Sequence, residues 1–173
     1  FGDGDAVVFD HETDATTSTS NTLTVSGYDS NDTNTDVTLD AAGLTFTDVQ
    51  GLTFALGDFN LASTANITGA DLETVTVTGA GDFNLGTTTI TGDGTNRVTL
   101  DASTSSGDVT LNVDDTADAV NQVTTGSGVD AITIDGIAGS DDGFVLSTNG
   151  GADTFTVTTD GDGATAVMDL NGG

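Results

Sequence analysis

The sequence lacks cysteine, proline and tryptophan, and its only basic side chains are Arg97 and, when protonated, His11. Without cysteine the chain forms no disulfide and no thiolate metal site, which excludes the usual structural zinc centres. The missing proline favours β-strands that pair on both sides, because proline would remove a donor from the hydrogen-bond ladder.

The sequence is also poor in positive charge. It has 28 acidic residues and one Lys or Arg, and the formal net charge is −27 at pH 7. Self-repulsion of this size destabilises a compact state unless counter-charges enter, so cations must come from solution. The same imbalance excludes binding to nucleic-acid phosphates and argues against docking on anionic lipid. Neither nucleic acid nor direct membrane insertion is therefore expected.

Aspartate supplies almost all of this acidity, since every acidic residue except Glu12 and Glu73 is an aspartate. A solvated acidic surface can use either acid. Turns favour aspartate, because its short carboxylate hydrogen-bonds nearby backbone and tolerates positive φ. Hard cations that take oxygen ligands also favour short carboxylates and backbone carbonyls. The bias points first to turn chemistry.

The apolar residues alternate with polar ones in short runs, a period of two that is typical of β-strands with one buried face. Clusters of Gly, Asp and Asn separate these runs, and the spacing of an amphipathic helix is absent. The sequence thus predicts an all-β chain with almost no helix. The clearest strand segments are Thr22–Val25, Val37–Leu39, Leu44–Thr47, Thr74–Thr78 and Thr154–Thr158.

The chain also repeats itself at a spacing of about 23 residues, which indicates stacked units that bury their faces on one another. The corresponding segments are 48–54 with 71–77, Gly57–Leu61 with Gly81–Leu85, and 126–133 with 149–156, with 92–99 as an earlier relative of the last pair. The second of these pairs is spaced by 24, which implies one residue inserted before Gly81.

These patterns predict an all-β fold in which residues 43–173 form a parallel β-solenoid, similar to a β-roll, with coils of about 23 residues. Residues 1–42 have fewer regular repeats and are rich in Asp, Asn, Ser and Thr. We expect them to form a less regular part, either an irregular β cap or a small β subdomain.

The turns of the repeats share the pattern Gly-x-Gly-x-Asp-x-U-x, where U is a large apolar residue. One full copy begins at Gly126, and substituted copies begin at Asn149 and Gly92. The pattern resembles the calcium-binding nonapeptide Gly-Gly-x-Gly-x-Asp-x-U-x of the RTX (repeats-in-toxin) family, with Thr125 or Thr148 at the place of its first glycine. Because the loops recur at about 23 residues, the chain is more similar to the divergent RTX-like β-solenoids of bacterial surface-layer (S-layer) proteins.

In the RTX family, glycines turn backbone carbonyls toward a calcium ion and an aspartate completes its shell, so the resemblance implies Ca²⁺ as the cofactor. It makes Asp130 and Asp153 calcium ligands, with Asn96 at the matching place of the third copy. It also turns Ile132, Phe155 and Val98 inward. The remaining Gly/Asp turns add further candidate ligands: Asp93, Asp108, Asp142, Asp160 and Asp162.

The resemblance implies a structural role: a secreted, calcium-binding component of an extracellular assembly, either an S-layer or a surface filament. Its partners would be copies of itself, calcium ions and a cell-surface glycan. An adhesin or ice-binding β-solenoid is the alternative, since Thr-x-Thr strings such as Thr74–Thr78 are typical of ice-binding arrays. The simplest interpretation is ordinary β-turns on an acidic surface, against which stand the aspartate bias and the recurrence in register.

Catalysis is not expected. The acidic residues around His11 are a solvated face on the simpler interpretation, and no Gly-x-Ser-x-Gly nucleophile motif accompanies them. Chance pairs of aspartates could suit glycoside hydrolysis, but such clefts usually add aromatic platforms, and the chain has no tryptophan.

Overall fold

The computed structural model describes residues 7–10, 22–26, 37–39, 44–47, 49–58, 60–63, 67–69, 71–86, 90–91, 98–114, 120–137, 144–159 and 166–170. The regular structure within these ranges consists of β-strands, and none of them contains a helix. This agrees with the all-β prediction.

The strands form three parallel sheets. Sheet A contains β1 (Val7–Asp10), β4 (Leu44–Thr47), β7 (Ile67–Gly69) and β10 (Ile90–Thr91). Sheet B contains β2 (Thr22–Ser26), β5 (Gly51–Gly57), β8 (Thr74–Gly79), β11 (Val98–Ser105), β13 (Val120–Thr124), β15 (Phe144–Thr148) and β17 (Ala166–Leu170). Sheet C contains β3 (Val37–Leu39), β6 (Leu61–Ser63), β9 (Phe83–Gly86), β12 (Val109–Asp114), β14 (Ala131–Ile137) and β16 (Thr154–Thr159).

The chain passes from sheet to sheet and returns to the same sheet about 23 residues later, so the fold is a parallel β-solenoid, as predicted. Leu52 pairs with Val75 and Ala131 with Thr154, each pair 23 residues apart. All five predicted strand segments lie within described strands: β2, β3, β4, β8 and β16.

The core consists of the inward half of each alternating strand. In β5, Leu52, Phe54 and Leu56 are fully buried, while the residues between them are partly exposed. The ring centroids of Phe54 and Phe83 lie 5.1 Å apart and join sheets B and C. Equivalent residues of successive coils stack in columns, such as Leu52, Val75, Leu100, Val123 and Leu146. Each coil therefore buries its apolar face against its neighbours.

The predicted equivalence of Gly57–Leu61 with Gly81–Leu85 is wrong by two residues. The structure pairs Gly57 with Gly79 and Leu61 with Phe83, a spacing of 22. This coil is thus one residue shorter than the 23-residue repeat. The sequence comparison implied a coil one residue longer than that repeat. Inward packing sets the register, because Leu61 and Phe83 are both buried at the start of a sheet C strand.

The third copy of the turn motif is also misaligned. Val98 is buried as predicted, but it begins β11 in sheet B, whereas the strands after the other two copies, β14 and β16, belong to sheet C. The turn that corresponds to those two copies contains Asp108 and precedes β12. Ile132 is buried and Phe155 packs against the core, as predicted.

The described strands of residues 1–42 extend the same three sheets. β1 pairs with β4, β2 with β5, and β3 with β6, all in parallel. The boundary near residue 43 stays a prediction.

Candidate cation site

One polar residue precedes each described sheet C strand from β6 onward. Asn60, Asp82, Asp108, Asp130 and Asp153 are each the last residue before β6, β9, β12, β14 and β16, respectively. We call these five residues the turn column. Successive coils stack, so the fold brings side chains that are more than 20 residues apart in sequence next to one another.

The first three members bind the backbone of the following coil. Asn60 Oδ1 accepts the Asp82 N–H at 2.9 Å, Asp82 Oδ1 accepts the Asp108 N–H at 2.9 Å, and Asp108 Oδ1 accepts the Val129 N–H at 2.7 Å. A side chain one methylene longer would overshoot these donors, which accounts for aspartate rather than glutamate here. The turn column thus supplies hydrogen bonds between coils just before the sheet C strands begin.

The last two members bind the preceding coil instead. Asp130 Oδ1 accepts the Val109 N–H at 2.9 Å, and Asp153 Oδ1 accepts the Asp130 N–H at 3.1 Å. Thr110 pairs with Ala131, so Asp130 is level with Val109, on the inward side of the sheet. Asp130 is consequently only 1% exposed.

Glycines let the coils approach closely beside the turn column. A Cβ on Gly128 would lie 2.3 Å from the Gly107 carbonyl oxygen, and one on Gly151 would lie 1.8 Å from that of Gly128. Gly151 also has φ of +123°, which side chains rarely adopt. The glycines of the turn motif are therefore required by backbone packing, whether or not a metal is bound.

Among the described residues, four buried side-chain oxygens in this region have no hydrogen-bond partner. They are Thr125 Oγ1, Asp130 Oδ2, Thr148 Oγ1 and Asp153 Oδ2. Thr125 and Thr148 are fully buried. We call these four residues the polar corner, because Thr125 directly follows β13 and Thr148 ends β15, both in sheet B, and the two aspartates precede strands of sheet C. Burying such groups without a partner is costly, so the polar corner calls for a ligand that supplies positive charge.

Electrostatics support this conclusion for Asp130. Burial raises the pKa of its carboxyl above the ordinary value, and the carboxylates of Asp153 and Asp108 raise it further. The Thr125 hydroxyl, which is near but outside normal hydrogen-bonding geometry, and the Val109 N–H lower this pKa without offsetting the increase. The described residues include no Lys, Arg or His that could supply a counter-charge to Asp130.

The structure brings three of the predicted ligands, Asp108, Asp130 and Asp153, into the turn column. Their proposed role as ligands stays a prediction, as do those of the other five, which lie outside the described residues: Asp93, Asn96, Asp142, Asp160 and Asp162.

Sequence reasoning missed Asn60, Asp82, Thr125 and Thr148 as site residues. The signal for the threonines is visible in the sequence, since they occupy the first-glycine place of the RTX pattern and add a hydroxyl there. The described part of the chain contains no group of three or more His, Cys, Asp or Glu placed to hold a metal. The polar corner instead offers two carboxylates and two hydroxyls.

Comparison of the chain with protein-family models, with curated proteins and with solved structures finds no match. The likeness to RTX-like solenoids therefore rests on the turn motif alone. None of the described residues belongs to a helix that could span a membrane.

Proposed function

We propose that this chain is a secreted, calcium-binding structural component of an extracellular assembly such as an S-layer or surface filament. The observation that carries the proposal is Asp130, a residue that is 1% exposed and whose Oδ2 has no hydrogen-bond partner. It belongs to a chain that has 28 acidic residues and a single Lys or Arg. Such a carboxylate is stabilised most directly by a metal cation from solution.

The donor set favours calcium. Carboxylates, hydroxyls and the backbone carbonyls of glycine-rich turns are hard oxygen ligands, and Ca²⁺ takes six to eight of them in flexible geometry. Asp130 and Asp153 would hold the ion. Its positive charge would also reduce the repulsion between these two carboxylates and the other carboxylates of the turn column. Because the aspartates belong to successive coils, calcium would tie those coils together and act as a folding ligand.

The solenoid itself suits a structural role. Parallel coils stack along one direction and repeat the same sheets, so copies of the chain can pack side by side or end to end. We propose further copies of the chain and a cell-surface glycan as partners. The acidic surface explains why cations would be needed before like-charged copies associate.

Circular dichroism, thermal unfolding and electron microscopy, each in calcium and in excess chelator, test this function. We expect chelation to lower Tm and to disperse the assembly. Sodium chloride at matched ionic strength is the control, because salt alone screens general repulsion. Unchanged strand signal, Tm and assembly in chelator would contradict the proposal and favour a plain acidic surface.

An ice-binding or adhesin role is supported by one observation, the outward threonines of sheet B. Thr24, Thr53 and Thr76 are in register in three successive coils. The next coil places Asp101 at this position, and the one after it Thr124. Thermal hysteresis or glycan binding by the monomer in chelator would favour this second function.

A further inference from the structure

Two inward columns of the solenoid change from apolar to polar. In sheet B, Asp101 pairs with Thr76 and with Thr124, and the residues that follow these three are Ala102, Val77 and Thr125, all of them buried. The column is apolar at Val77 and Ala102, and it becomes polar at Thr125 and then Thr148, which follow the paired residues Thr124 and Ser147. Both threonines are fully buried.

The facing column in sheet C changes in the same coil. Leu61, Phe83 and Val109 are paired in register and buried. The next two positions are Asp130, level with Val109, and Asp153, whose Oδ1 accepts the Asp130 N–H at 3.1 Å. A core that had been apolar on both sides of this corner thus acquires two hydroxyls and two carboxylates together.

The coincidence is informative because isolated polar residues in a core are destabilising. Here the four residues leave one oxygen each unpartnered, and the Thr125 hydroxyl lies beside the Asp130 carboxylate. The other carboxylate oxygens already have donors. The Val109 N–H donates to Asp130 Oδ1, and the Asp130 N–H donates to Asp153 Oδ1. The remaining four oxygens are therefore available to a single shared ligand.

We infer that the polar corner binds one divalent cation inside the solenoid, between two successive coils, through Thr125 Oγ1, Asp130 Oδ2, Thr148 Oγ1 and Asp153 Oδ2. This inference rests on the proposed calcium function and specifies one site of it. Two carboxylates balance the charge of one divalent ion. The set contains only oxygens, which suits Ca²⁺ and disfavours zinc or copper.

The inference differs from what the RTX resemblance implies. In the RTX motif, the position of Thr125 and Thr148 is a glycine, which has no side chain that could bind an ion. In this chain, two threonine hydroxyls complete the donor set. Asp108 is exposed and bonded to the following coil, so it does not belong to this site.

The double variant T125V/T148V tests the site, because valine keeps the shape of threonine and removes the hydroxyl. The matched control is T133V/T156V, which makes the same change at two paired positions on the outer face of β14 and β16. Calcium binding to each purified chain is counted by equilibrium dialysis, and Tm is measured in calcium and in chelator.

We expect T125V/T148V to bind one calcium ion fewer than the unaltered chain, or to bind that ion at least about 100-fold more weakly, since outer-sphere partners alone contribute roughly 10–100-fold to affinity. In chelator its Tm should be no lower than that of the unaltered chain, because two unpartnered hydroxyls have been removed. The control should match the unaltered chain in both measurements. If T125V/T148V does not fold, D130N takes its place, since its Oδ1 can still accept the Val109 N–H.

Two outcomes would overturn the inference, and they are distinguishable. If the unaltered chain binds calcium and T125V/T148V binds as many ions with the same affinity, the polar corner is not the site, although the calcium function stands. If the unaltered chain binds no calcium and chelator leaves its Tm unchanged, the site and the proposed function both fail.

Discussion

Asp108 and Asp130 occupy the same turn in successive coils, yet their carboxylates point in opposite directions along the solenoid. Asp108 Oδ1 accepts the N–H of Val129 in the next coil, whereas Asp130 Oδ1 accepts the N–H of Val109 in the preceding one. The reversal follows from register, because the spacing from Thr110 to Ala131 is 21 residues. The shorter coil moves Asp130 from the exposed side to the interior, and two chemically different aspartates result.

Asp108 should act as a hydrogen-bond acceptor rather than as a charge. D108A leaves the Val129 N–H without its partner, and we expect it to lower the free energy of unfolding by about 1 kcal/mol, as for an exposed hydrogen bond. D108N keeps Oδ1 and should be close to the unaltered chain. Urea unfolding of both variants checks this. A loss in D108N equal to that in D108A would show that the charge matters, and would support the predicted calcium role of Asp108.

Asp130 should show the opposite behaviour, with a sign that depends on calcium. In chelator, D130N removes a buried negative charge for which no described residue supplies a counter-charge, so it should raise the free energy of unfolding by about 1–3 kcal/mol. In calcium the same change removes a ligand and should lower that free energy relative to the unaltered chain. D58N is the control, because Asp58 is exposed and should respond little in either condition.

A gain in stability for D130N in calcium as well as in chelator would contradict this prediction. It would mean that Asp130 is merely an unfavourable buried charge. Calcium bound by the rest of the chain would still be measurable in that case.

The pH dependence in chelator should separate Asp130 from the general repulsion among aspartates. Its pKa is raised in the folded chain, so the folded state retains a proton that the unfolded state has released above the ordinary value of 3.8. The stability of the unaltered chain should therefore fall as pH rises from 3.8 through the raised pKa. The difference between D130N and the unaltered chain should vanish at acidic pH and grow over that window. A difference that is independent of pH would contradict the assignment.

The sequence predicted the parts of this structure that depend on local alternation. Period-two runs identify strands such as β8 and β16, and the spacing of 126–133 and 149–156 yields the correct register between β14 and β16. These succeed because the same apolar side chains that define the pattern also form the core.

Features that depend on coil length could not be predicted in this way. The sequences of Gly57–Leu61 and Gly81–Leu85 match at a spacing of 24. The strand register between β6 and β9 instead follows the buried pair Leu61 and Phe83. The polar corner has the same origin, because Asp130 is buried only through the shorter coil that precedes it. A motif search finds Asp130 but cannot tell that it differs from Asp108.

Close approach of the coils at the turn column gives a prediction that is independent of any metal. G128A would place a Cβ 2.3 Å from the Gly107 carbonyl oxygen, and backbone on both sides would have to shift. We expect the free energy of unfolding to fall by about 1–3 kcal/mol, as for overpacking in a close-packed interior. G150A is the matched control, because a Cβ there has no atom within 4 Å, and its effect should be small.

Chemical unfolding of G128A and G150A in chelator isolates this backbone effect from cation binding. Equal stability of the two variants would mean that the coils can separate at Gly128 without cost. The carboxylate bonds from Asp108 to Val129 and from Asp130 to Val109 cross the same gap between coils. A wider gap would lengthen both, so G128A should also weaken these two hydrogen bonds, and G150A should leave them intact.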